Sequence, residues 1–192
     1  MNIEQFLEAH DACQRGMNWA STLDYDFDAM WLGFDRADWM LWLCQKAGLG
    51  VRKLTGLKAT CAEFARPHMA DARSIAALDG AWKFSRGEIS EEELAELAEA
   101  ADLPAFSSSM AAFSAAAAYA AAAYAADLSD AADAAADAAA DAAAAAAAAA
   151  AAKADSVSAK LSTHLSMCDA IRAAIPGEEI KKLIQVAIDE QL

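Results

Sequence analysis

The chain is short of basic residues, histidine, paired cysteine and glycine-rich loops, and each shortage closes off a class of function. Lys and Arg number 15 against 29 Asp and Glu, for a net charge of −14. Nucleic acid is therefore an unfavourable partner, because neutralising phosphates takes clustered Lys and Arg. Three histidines leave little general-base capacity. No GxSxG, HExxH, Walker-type loop or dinucleotide fingerprint occurs. No enzymatic activity, catalytic residue or cofactor is expected. Cys13, Cys44, Cys61 and Cys168 are far apart and form no CxxC pair, so reduced thiols and a cytoplasmic protein are expected. The opening "MNIEQFLEAH" has neither the basic nor the apolar region of a targeting signal. Residues 103–126 lack charge for 24 positions, a length near that of a membrane span. They are mainly alanine, with serines among them and no Lys or Arg anchor close by. That is too weakly apolar to insert, and no membrane association is expected.

What is present reads as helix. Ile3, Phe6, Leu7 and Cys13 share one face, with Gly16 as the expected stop. Ser21 or Thr22 is the expected cap of the next segment, which Gly33 divides before a stronger helix at residues 35–47, with Lys46 late and Gly48 as terminator. Leu54, Leu57, Cys61 and Phe64 form a face that Pro67 interrupts, so a helix is predicted to end near Arg66. Ile75, Leu78 and Trp82 give the next helix its face, and Gly87 closes it. Ser90 and Glu93 make a capping box for a short acidic helix that runs to Pro104. Beyond the alanine tract, Leu161, Leu165, Cys168 and Ile171 continue a helix to Pro176-Gly177, and an amphipathic helix follows. No strand is expected.

From 111 to 152, 31 of 42 residues are alanine, the strongest helix former. One unbroken rod through this region would reach roughly 100 Å, so a break is predicted near "DLSD", with Ser129 or Asp130 as cap. The expected fold is an all-α multi-helix bundle: long alanine-rich helices, as an antiparallel hairpin, packed on a Trp-rich helical base. Residues 1–192 are read as one unit, with 1–103 the large-residue base, 104–175 the alanine-rich helices and 176–192 a C-terminal helix.

At 100° per residue, Phe106, Met110, Phe113, Tyr124 and Leu128 make a packing seam. Asp127, Asp130, Asp133, Asp137 and Asp141 lie opposite, with Tyr119 among them. A solvated face would explain such a stripe, but like charges at this spacing repel, and Glu–Lys pairs would solubilise a helix without that cost. The stripe is thus a candidate surface for the Lys and Arg of a basic protein, with Tyr119 as aromatic anchor. The eleven alanines at 142–152 let helices approach closely, and self-association through them is the alternative role.

His10 and Cys13, with His164 and Cys168, could in principle converge as four zinc ligands, oriented by Asp11 and Asp38, but single helical turns often place His near Cys and no metal is expected. Trp39, Trp42 and Leu43 have the spacing of a packed face, with Arg36 and Asp38 flanking it. Core packing is the first reading of these tryptophans and an aromatic interaction site the second.

The pieces "ACQRGMNWA", "RADWMLWL", "ALDGAWKFSRGEISEEEL", "AAAAYAAAAYAAD" and "CDAIRAAIP", in this order, resemble a bacterial and phage family of immunity proteins, the alanine-rich, immunity-five-like group of polymorphic toxin systems. The likeness runs from about Ala12 to Pro176. It implies an all-helical protein that binds and neutralises a toxin, with no enzymatic activity. Family tracts are richer in tyrosine and mixed charge, and the helix after Pro176 is an addition here. With the acidic stripe, the resemblance points to a basic toxin, such as a nuclease, as partner.

Overall fold

In the computed structural model, residues 2–69, 72–102 and 156–189 are described. Among them the chain is all helical, without a strand. The helices are α1 (Ile3–Ala9), α2 (Gln14–Ser21), α3 (Phe27–Gly33), α4 (Ala37–Lys46), α5 (Val51–Ala62), α6 (Ala72–Ser85), α7 (Glu91–Asp102), α8 (Ser156–Ala174) and α9 (Gly177–Asp189). A 3-10 turn, Glu63–His68, carries Pro67 and follows α5 directly. No helix among the described residues is long and apolar enough to cross a membrane. The predicted seam, the break at "DLSD", the eleven alanines, Tyr119 and the aspartates from Asp127 to Asp141 lie outside the described residues.

Several boundaries fall where local chemistry puts them. Ser90 and Glu93 close the capping box in both directions: the Glu93 amide donates to the Ser90 hydroxyl at 3.2 Å, and the Ser90 amide donates to the Glu93 carboxylate at 2.8 Å. Gly48 and Gly87 follow their helices at φ of +80° and +78°, the left-handed conformation that glycine adopts without steric cost.

Two expectations are corrected. Gly16 does not stop the first helix: it lies inside α2, and the chain turns earlier, at Asp11, whose φ is 56°. Aspartate tolerates that region better than most side chains. The cap of the next helix is Asp26, whose carboxylate accepts from the Ala29 amide at 2.7 Å. Ser21 and Thr22 instead donate back to the Asn18 and Trp19 carbonyls at the end of α2.

The core draws on all nine described helices. At its centre α8 crosses α4 and α5, while α9 lies against α1 and α3. Met40, Leu43, Leu78, Leu94, Met167 and Ile171 are fully buried there, where each such side chain contributes on the order of 1.5–3 kcal/mol by leaving water. On the other side α6 packs between α5 and α7. Leu94, Ala98 and Ala101 give α7 its inward face, and Gly80 lets α6 come so near that a Cβ there would meet Leu97 Cδ1 at 2.5 Å.

Arg172 joins α8 to the end of α3. Its guanidinium donates to the carbonyls of Trp31 at 2.9 Å, Leu32 at 3.0 Å and Phe34 at 2.8 Å. These are the acceptors that a helix end leaves without intrahelical partners, and the charge complements the dipole.

Candidate binding cleft

Residues of α1, the α1–α2 turn, α2, α3 and α4 surround an open cleft of about 260 Å³. Three tryptophans line it: Trp19 from α2, and Trp39 and Trp42 from α4. All three are half-buried. Trp19 stacks on Phe34 with centroids 4.8 Å apart and meets Trp39 at a tilt of 55° and 5.7 Å. Rigid rings crossing at such an angle leave space that a branched aliphatic chain would fill. No acceptor for the indole N–H groups of Trp19, Trp39 or Trp42 occurs among the described residues, whereas Trp82 donates to Glu63 at 2.7 Å.

Two carboxylates also line the cleft, Asp11 and Asp38. Asp38 is 6 % exposed, and a buried carboxylate needs a partner. The Arg36 guanidinium supplies one as a fork, with Nε at 3.0 and 3.1 Å from the two oxygens and an Nη donating as well. The same guanidinium sits 5.3 Å above the Trp39 ring. Asp38 also stands in the first turn of α4, where the dipole favours negative charge. Asp11 is exposed and has no ion pair among the described residues.

The expected flanking of Trp39 and Trp42 by Arg36 and Asp38 is thus observed, while the rings are part wall and part core. His10 precedes the cleft, its ring 4.5 Å from Phe6. Burial, and then Lys46, hold its pKa below the usual histidine value, against the pull of Asp11. Cys13 caps α2, its Sγ accepting from the Gly16 amide at 3.4 Å.

The two His–Cys pairs play different parts. Cys13 is exposed at the cleft, whereas Cys168 is buried. Burial pushes the thiols of Cys44, Cys61 and Cys168 up to about 12. No group of metal-ligating side chains able to hold an ion occurs among the described residues.

No family model, curated protein or solved structure matches the chain. The sequence left open whether Trp39 and Trp42 pack in the core or form an interaction site, because a tryptophan at helical spacing has the same signature whether its outer edge meets protein or water.

Proposed function

We propose that the chain is an inhibitory binding protein of the immunity type, which captures a basic partner protein and blocks it without catalysing a reaction. One observation carries this reading: several of the described bases are matched by acids, while the acids of α7 stand outward. Arg36 is held by Asp38, Lys53 by Glu179, Arg66 by Glu63 and Asp79, Arg86 by Glu88, and Lys181 by Asp28. Exposed pairs of this kind add little stability, but they mask the cations that they hold. Glu91, Glu92, Glu96 and Glu99 meanwhile stand exposed on α7, a helix without a basic residue.

Such a surplus steers a cationic protein inward and repels polyanions, nucleic acid included. The residues proposed to bind the partner are Asp127, Asp130, Asp133, Asp137 and Asp141 with Tyr119, and the acidity of α7 adds to the attraction, in a cytoplasmic protein. The resemblance to alanine-rich immunity proteins supports the same reading and gives the partner its class, a toxin with a basic surface such as a nuclease.

The test is co-expression with the reading frame that adjoins its gene. Restored growth of cells otherwise killed by that frame supports inhibition, and its loss when Asp130, Asp133, Asp137 and Asp141 become serine supports the acidic surface. Killing unaffected by the wild-type chain contradicts the proposal. The second reading, assembly of copies through the alanine-rich helices, draws on Leu161 and Leu165, one turn apart on α8 and 47 % and 42 % exposed. Sedimentation that gives a monomer at every concentration removes it.

A further inference from the structure

We propose that the tryptophan-lined cleft receives one basic side chain, arginine or lysine, projected from the partner's backbone. This rests on the reading of a basic protein partner and adds the place where its side chain is held. Size comes first: about 260 Å³ falls below the roughly 300–1,000 Å³ of small-molecule pockets and suits a single side chain. Chemistry comes second. Indole faces attract cations through the ring quadrupole, as the Arg36 guanidinium above the Trp39 ring illustrates beside the cleft.

The charges also favour a cation. No lining residue is basic, and Arg36, above the Trp39 ring, is matched by Asp38. Asp11 adds a carboxylate without an ion pair among the described residues, although Lys46 acts on the neighbouring His10. The start of α2, at Cys13 and Gly16, opposes it, but with only about half an elementary charge. An anion would meet the Asp11 carboxylate in a lining of electron-rich indole rings. A peptide-borne cation fits better than a bare one, because the three indole N–H groups find no acceptor among the described residues and backbone carbonyls would supply them.

The experiment titrates the full chain with N-acetyl-arginine-N-methylamide and follows the indole N–H resonances by NMR. The neutral isostere, N-acetyl-citrulline-N-methylamide, is the control. The expected result is movement of the Trp19, Trp39 and Trp42 signals, with Trp82 unmoved and the arginine probe bound at least several-fold more tightly than citrulline. Asp11→Asn should weaken arginine binding by about two- to fivefold, the scale of one partly exposed charge contact. Asparagine also adopts the positive φ that Asp11 holds, so this variant keeps the fold. Equal response to arginine and citrulline, still indoles, or an Asp11→Asn variant with unchanged arginine affinity overturns the proposal. A chain that rescues growth yet ignores arginine sinks the cleft and spares the inhibitor reading. Selective arginine binding in a chain that never rescues does the reverse.

Discussion

The α4–α5–α8 centre and the α2–α4 cleft share one helix and treat it in opposite ways. On the central side α4, which packs on α5 and α8, presents Met40 and Cys44, both fully buried. On the cleft side it presents Trp39 and Trp42, which other rings cover only in part. Flexible or slender side chains interdigitate until no gap remains, whereas indoles are planar and rigid and meet at angles that leave one. The difference teaches that large apolar residues do not by themselves make a sealed core: shape decides which face closes.

Thiol chemistry should separate the two regions most widely. Cys13, exposed at the cleft, is expected to react with a neutral alkylating reagent in the native protein, while Cys44, Cys61 and Cys168, held near 12 by burial, wait for unfolding, since the thiolate is the nucleophile. Mass spectrometry of the labelled peptides reads this directly. Prompt native labelling of Cys61 would show that the centre is not closed.

Arg172→Met should be the costliest single substitution, at about 3 kcal/mol, because it leaves three carbonyls at the end of α3 without their charged donor. Denaturant unfolding measures it, and a loss under about 1 kcal/mol would show that water replaces the clamp. The two close approaches of glycine come next. A Cβ at Gly177 would meet the Trp31 ring at 2.6 Å, and a ring in a packed site cannot yield, so Gly177→Ala is expected to cost about 2 kcal/mol. At Gly80 the obstacle is the methyl end of Leu97, which can rotate, and Gly80→Ala should cost less. The reverse order in thermal melts would break the argument from shape.

The smallest effect is linked to pH. Hydrogen bonds from Arg66, and then from Trp82, hold the Glu63 carboxyl below its ordinary value of 4.5. A depressed carboxylate stabilises the fold above that value, and the contribution fades as pH falls through the folded-state pKa. Glu63→Gln should therefore lower the melting temperature slightly at neutral pH, with the gap closing in acid. A gap that is constant with pH would mean that the variant acts through packing alone.

Much of the helical order was legible because it rests on local chemistry. The Ser90–Glu93 box, the glycines at 48 and 87 and the interruption at Pro176-Gly177 require only neighbours in sequence. The Gly16 stop failed because glycine marks permission for a turn, not its place, and Asp11 took the left-handed position instead. The cap at Asp26 was missed because Ser21 and Thr22 can equally bond backward into the preceding helix, as they do. The cleft was not legible, since it depends on how α2 and α4 meet. The residues first singled out for binding, Tyr119 and the aspartate stripe, lie outside the described residues, and the acidity of α7, visible in its sequence, is the described counterpart of that stripe.

The central claim is that an acidic helical protein offers basic partners an aromatic cleft, and Cys13 at its wall is a built-in reporter. The most direct measurement is the rate of Cys13 alkylation by iodoacetamide in the native chain, with N-acetyl-arginine-N-methylamide or its citrulline analogue present. The account predicts that arginine slows labelling in proportion to occupancy and that citrulline does not. Identical rates with both, at arginine concentrations that saturate the indole shifts, would contradict it.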